Sequence, residues 1–274
     1  MNTFHKTVLS AMILLLGSTA IAQETIVMDG STTVGPIAKA FAEYYMNQNP
    51  GVNITVGESG SGNGATSLRE GTCHVATMSR FMRVSEFKAA LDNDVTPIAH
   101  VVALDGIAII VHPSNPVGEL TREQVRDIYA GRITNWREVG GPNRAIVAIS
   151  RDTNSGTYET FNDLVMDRIR MAEGVGYVGS NGAIRARVQE TEAAIGYVGI
   201  GFADHTVKAL SINGVLPTLD TIRTGAYPIA RPLYLFTNGY PELGSHLYRF
   251  ITLYLTEEGQ EMVESQDFIP MTNY

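Results

Sequence analysis

The stretch Ser150-Arg151-Asp152-Thr153-Asn154-Ser155-Gly156-Thr157 brings together residue types suited to holding a small anion. It leaves an apolar run at 145–149 and enters a segment where Tyr158, Phe161, Leu164 and Val165 recur at helical spacing, which predicts Ser155 to Thr157 as the first turn of a helix. The N–H groups of a first turn have no intrahelical acceptor, and the helix dipole adds partial positive charge there. Gly156 permits close approach, Ser155 and Thr157 add hydroxyls, and Arg151 offers a guanidinium fork for two oxyanion oxygens. The plainer alternative is an N-cap with a surface arginine.

Three other stretches have the same character. Gly30-Ser31-Thr32-Thr33 follows a predicted strand at 25–28 and precedes a helix with apolar positions Ile37, Ala40, Phe41, Tyr44 and Tyr45. Ser59-Gly60-Ser61-Gly62-Asn63-Gly64 sits between the strand at 52–56 and a short helical piece around Leu68, where successive N–H groups can form an anion-binding nest. It matches neither the dinucleotide glycine pattern, the P-loop nor the G-x-S-x-G elbow. Ser79-Arg80 closes a strand at 75–78, so Arg80 either reaches solvent or has an anionic partner. Asp105-Gly106 interrupts the apolar segments 101–104 and 107–111, either as a plain turn or as a placed carboxylate that the arginines balance.

Strands alternating with helices predict an α/β fold with parallel sheets and right-handed crossovers. Ligands of such sheets sit beyond the carboxyl ends of the strands, where these stretches and Asp105 are expected to lie. Smaller signals are the capping box Thr121-x-x-Gln124, the helical segment 184–191, a helix over about 245–255 and a shorter one near 258–264.

Residues 1–22 read as a secretory signal peptide: Lys6 supplies a short positive region, 8–16 is an apolar run too short to span a bilayer, and Ala20-Ile21-Ala22 precedes the cut. With no cysteine just after that cut, the mature chain is expected to be free of a lipid anchor, periplasmic or secreted. Losing Lys6 makes the net charge of −8 one unit more negative, against nucleic acid as a partner. Cys73 is the only cysteine, so no internal disulfide forms, and a buried structural thiol is expected. The six histidines show no metal-ligand spacing.

Taken together, Gly30-Ser31-Thr32-Thr33, Ser59-Gly60-Ser61-Gly62, Ser79-Arg80, Asp105-Gly106, Ile133-Thr134-Asn135-Trp136, Arg151 with Ser155-Gly156-Thr157, Ala194-Ile195-Gly196-Tyr197-Val198-Gly199, and Tyr227-Pro228 with Arg231-Pro232-Leu233-Tyr234 resemble the phosphate-binding proteins of bacterial phosphate ABC importers (PstS-like). The resemblance implies a two-lobed periplasmic binding protein fold (type II-like) with two crossing hinge strands. Lobe 1 would be 23–106 with 229–274, and lobe 2 would be 107–228. It implies a monomeric, non-enzymatic receptor without cofactor, delivering inorganic phosphate to a membrane permease. The phosphate contacts carried over are Ser31, Thr32, Ser61, Arg80, Arg151, Ser155, Gly156 and Thr157, with Asp105 as the acid.

Some members place an acid where this chain has Arg80, and another where it has Thr153. An ionised carboxylate only accepts hydrogen bonds, so Asp105 would accept the P–OH of phosphate and reject fully deprotonated sulfate. On this view Asp105→Asn loses sulfate discrimination first. Alternatives are another tetrahedral oxyanion such as arsenate or sulfate, a phosphate scavenger or adhesin without a transporter, and a secreted phosphatase or serine hydrolase. The last is suggested by the serines and by Ser85-x-x-Lys88, but lacks companion motifs.

Overall fold

The computed structural model describes residues 24–272; the leader expected over 1–22 lies outside the described residues. The chain begins β1 (Glu24–Gly30), α1 (Gly35–Gln48), β2 (Val52–Val56), α2 (Ser61–Arg69), β3 (Val75–Met78), α3 (Val84–Leu91) and β4 (Pro97–Val111). It continues with β5 (Glu119–Leu120), α4 (Arg122–Tyr129), β6 (Val147–Arg151), α5 (Gly156–Leu164), β7 (Gly176–Val178), α6 (Asn181–Glu190) and β8 (Ala194–Gly199). After β9 (Lys208–Ala209), β10 (Ser211–Ile212) and α7 (Leu219–Arg223) come β11 (Ala230–Asn238), α8 (His246–Ile251) and α9 (Glu257–Ser265). The Thr121–Gln124 capping box forms as expected at the start of α4.

One curled sheet runs in the order β2-β1-β3-β11-β4-β8-β6-β7. The sheet is mixed, which corrects the expectation of wholly parallel sheets: β11 runs antiparallel to β3 and β4, and β4 antiparallel to β8. Asp105-Gly106 does not break β4. Residues 97–106 pair with β11, then Ile107 to Val111 pair with β8, so one continuous strand serves both halves of the sheet. Its apolar run reflects burial on both faces: Ile107, Ile109 and Val111 enter one core with Trp136 and Phe161, while Ala108 and Ile110 enter another with Ile184 and Val188. In the other half, Ile37 and Phe41 of α1 pack on Ile26 and Met28, and Ala65 and Leu68 of α2 cover Met78 and Phe236 on the opposite face.

This topology gathers the turns. The carboxyl ends of β1, β2, β3, β6 and β7 lead to Ser31–Thr33, Ser61, Ser79, Ser155–Thr157 and Asn181. Asp105, expected beyond a strand end, instead lies inside β4, one residue before its pairing changes. Cys73 is buried, and burial raises its thiol pKa to about 12. Among the described residues no helix is long and apolar enough to cross a membrane.

Candidate functional site

At α5 the predicted first turn is present. Ser155 is the N-cap, its hydroxyl accepting from Tyr158 N–H, and its carbonyl accepts from Glu159 N–H. The N–H groups of Gly156 and Thr157 have no acceptor among the described residues, as helix geometry requires of the first positions. Ser61 is instead the first residue of α2, following the N-cap Gly60, whose φ of 106° favours glycine, and its hydroxyl accepts from Ser79 N–H. In the turn after β1, Ser31 Oγ accepts from the N–H groups of Thr33 (3.1 Å) and Val34 (3.4 Å), and Thr32 N–H has no acceptor among the described residues.

The two halves meet here. Thr33 Oγ1 and Thr157 Oγ1 lie 2.9 Å apart, Gly62 N–H donates to Asn154 O at 3.0 Å, and Asn181 Nδ2 donates to the hydroxyls of Thr33 (2.9 Å) and Thr32 (3.2 Å). Gly156 is wedged so tightly that a Cβ there would fall 2.5 Å from Ser61 Oγ and 2.6 Å from Ser79 Oγ. Only glycine fits.

Arg151 is the deepest cation of this region, with its side chain 1 % exposed. Its Nη2 donates to Gly179 O at 2.8 Å, while Nε and Nη1 have no partner among the described residues. Burial lowers its pKa; Asp152, 3.8 Å away, and Tyr197 oppose the shift, and the neighbouring Arg231 adds to it. An arginine stays protonated nonetheless, so a buried positive charge stands here incompletely compensated. Tyr197 fixes the backbone beneath it: its hydroxyl accepts from Arg151 N–H at 3.2 Å, and its ring stacks on Phe161 of α5 with centroids 3.9 Å apart. Such a pair contributes about 0.5–1.5 kcal/mol beyond its buried area.

A search against family models matches residues 17–258 to the PBP superfamily domain. The phosphate-binding protein PstS of Bacillus subtilis is 32% identical over 254 residues, which is 92% of this chain and 82% of that one. A phosphate ABC transporter substrate-binding protein from Clostridium perfringens, solved with bound phosphate, superposes with a TM-score of 0.85 at 33% identity, covering 91% of this chain and 100% of that one. An ABC-type phosphate transport receptor from Vibrio cholerae gives 0.73 at 32% identity, covering 89% and 99%. The chain belongs to the PstS family.

Within this PstS fold, two charged residues are engaged differently from the reading above. Arg80 has the anionic partners that were one of its two alternatives. Its Nη1 and Nη2 grip Glu86 at 2.8 Å each, Nη1 also reaches Phe81 O, and Nε lies 2.7 Å from Glu159 Oε1 across the halves. Burial pulls its pKa down, but Glu86 and Glu159 outweigh that and hold it above the ordinary value. Asp105 is balanced neither by Arg80 nor by Arg151. Its Oδ2 accepts from Arg231 Nε (3.0 Å) and Nη2 (2.8 Å), and its Oδ1 from Ile200 N–H (2.9 Å). Burial pushes its carboxyl upward, with Arg231 and Ile200 N–H pulling the other way.

Four residues were absent from the candidate set. Thr33, Ser79 and Arg231 stand inside stretches that had been singled out, but the partners that give them a role are distant in sequence. Asn181 gave no signal beyond that of an ordinary residue in a helix's first turn.

Proposed function

We propose that this chain is a receptor that closes its halves around one inorganic phosphate ion and presents it, outside the cytoplasmic membrane, to an ABC-type permease. One observation carries the reading: a buried guanidinium whose Nε and Nη1 have no partner among the described residues, in a region where N–H groups of two turns, Thr32 and Gly156 with Thr157, likewise lack acceptors there. A tetrahedral oxyanion supplies the acceptors these donors lack. The names of the relatives in B. subtilis, C. perfringens and V. cholerae support phosphate as that ion.

Ser31, Thr32, Ser61, Arg151, Ser155, Gly156 and Thr157 are the proposed contacts, through hydroxyl or backbone N–H. In this scheme Arg80 acts at the rim, as an ion pair between halves, and Asp105 acts through Arg231, whose Nη2 also donates to Thr157 Oγ1 at 2.9 Å. The proposed lobes are 23–106 with 229–274, and 107–228. The exchange of β4 partners between Gly106 and Ile107, opposite Ala230, supports hinging there.

Isothermal titration of the mature, ligand-stripped protein tests the reading. Phosphate is expected to bind with one-to-one stoichiometry, and no heat with phosphate under any condition overturns it. Co-purification with the cognate permease tests the delivery step.

A further inference from the structure

A closed ring of hydrogen bonds runs through the place where the halves meet. Asp105 Oδ2 accepts from Arg231 Nη2, which also donates to Thr157 Oγ1, and that hydroxyl lies 2.9 Å from Thr33 Oγ1. Thr33 Oγ1 accepts in turn from Asn181 Nδ2, and Asn181 Oδ1 lies 3.3 Å from Gly199 N–H. The next residue, Ile200, returns its N–H to Asp105 Oδ1. Because Gly199 N–H can only donate, the amide of Asn181 must turn its oxygen there and its nitrogen toward the threonines. Asp105, Arg231, Thr157, Thr33 and Asn181 are all buried. The ring has little slack: a Cβ at Gly199 would fall 2.8 Å from Thr33 Cγ2 and 3.0 Å from Asp105 Oδ1.

Four of its links join one half to the other, and they are not equivalent: Ile200 to Asp105, Asn181 to Thr33, Thr33 to Thr157, and Arg231 to Thr157. The first lies beside the point where β4 changes partner, between Gly106 and Ile107, so a rotation about that point moves it least. The other three lie in the turns beyond the strand ends, and opening breaks them. Two of those three belong to Thr33. Asn181 holds Thr33 and also donates to Thr32 Oγ1 at 3.2 Å. One amide thus fixes the hydroxyl of Thr32, a proposed contact from one half, and through Thr33 that of Thr157, a proposed contact from the other.

We infer that Asn181 is a positioning residue for the closed form: through Thr33 it keeps the phosphate contacts Thr32 and Thr157 in register across the halves, and so governs release of the ligand rather than its capture. This rests on the phosphate reading and deepens it. With the halves apart, water takes up the amide and the threonine hydroxyls, so these links contribute to closure alone, with the modest net strength of neutral hydrogen bonds. An ion entering the open site meets none of them, whereas an ion leaving must wait for them to break. The links of Asn181 to the threonines are neutral and buried, so salt does not screen them, unlike the pairing of Arg80 and Arg83 with Glu159 at the rim.

The experiment is stopped-flow measurement of phosphate binding and release by wild type, Asn181→Ala, Thr33→Val and the double variant, at ionic strengths of about 0.05 M and about 0.5 M. Asn181→Ala is expected to quicken release about tenfold, by the same factor at both ionic strengths, with association within about twofold of wild type. Thr33→Val, which keeps the shape and removes the shared hydroxyl, is expected to quicken release about three- to tenfold. The double variant should release phosphate more slowly than the product of the two single effects requires, because both changes remove one common link. Release from Asn181→Ala within about twofold of wild type overturns the inference, whatever its ligand-free melting temperature, and so does an affinity loss carried wholly by slower association. A double variant whose effect equals the product of the singles shows that Asn181 does not act through Thr33 and overturns it too. If Asn181→Ala does not fold, the release rate of Thr33→Val decides. A wild type that binds no phosphate would instead sink the receptor reading.

Discussion

Arg231 closes on Asp105 with two nitrogens, Nε at 3.0 Å and Nη2 at 2.8 Å from Oδ2, across the antiparallel pair β4 and β11. Both side chains are buried, so removing one charge strands the other. Breaking such a pair costs about 3–5 kcal/mol. Asp105→Asn is therefore expected to lower Tm by about 10 °C in a chain of this size. A melt at the wild-type temperature, together with lost discrimination against sulfate, would show instead that Asp105 reads the ligand directly.

Arg151 is the converse case, a buried cation awaiting its partner. Arg151→Met is expected to weaken phosphate binding by about 100-fold or more, the usual scale for truncating a buried charge-assisted contact. The same change should leave the ligand-free melting temperature unchanged or higher, because it removes an incompletely compensated buried charge whose Nε and Nη1 have no partner among the described residues. Calorimetry and a thermal melt on the same sample check both halves of the statement.

Gly156→Ala probes closure. The added methyl would sit 2.5 Å from Ser61 Oγ, 2.6 Å from Ser79 Oγ and 3.1 Å from Ser61 Cβ, in the opposite half, so it displaces both hydroxyls and pushes the halves apart. The expected result is a loss of affinity of about 100-fold or more with little change in ligand-free stability, since overpacking costs about 1–3 kcal/mol or more only where the atoms are forced together. Small-angle scattering with saturating phosphate should show a larger radius than wild type.

At the rim, Glu159 joins Arg80 (2.7 Å) and Arg83 (2.7 Å) from the other half. Glu159→Gln leaves Arg80 its two bonds to Glu86 and removes only the cross-half charge. Phosphate release measured by stopped flow is expected to quicken about three- to tenfold and to lose part of its salt dependence. An unchanged release rate would mean that the rim pairs do not hold the closed form.

His100 ties stability to acidity. Burial lowers its pKa, and its Nε2 lies 3.0 Å from Thr237 Oγ1, which gives its own proton to Gly239 O. The bond thus needs Nε2–H, which the neutral and the charged ring both supply, so burial alone disfavours the charged form. With the folded pKa below the unfolded value, the unfolded chain binds the extra proton first, so stability is full above about pH 6.5 and declines as pH falls through that region. His100→Gln, which keeps a donor without the titration, should show a shallower decline in melts from pH 7 to pH 5.

The parts of the candidate site that could be read from sequence are those where hydroxyls and glycine follow a strand: Thr32, Ser61, Gly156 and Thr157 meet across the halves, and Ser31 and Ser155 stand beside them in the same turns. What could not be read is pairing at long range. Arg231 stands 126 residues from Asp105, and no local pattern names one as the other's counter-ion. Arg80 had been left between solvent and an anion; its partners Glu86 and Glu159 come from two helices, one of them in the other half. Asn181 was invisible for a related reason, since an amide opening a helix looks the same whether or not it faces another lobe. The mixed sheet was missed because antiparallel β11 and doubly buried β4 carry the same apolar runs as parallel strands.

The bond from Gly62 N–H to Asn154 O joins main chain to main chain. Nothing in it depends on the amide of Asn154 or on the exposed side chain of Asn63 beside it. Surface drift in these tips, whether neutral substitution, altered charge or a grafted epitope, can accumulate without loosening the clasp, provided Gly60 keeps the backbones within reach.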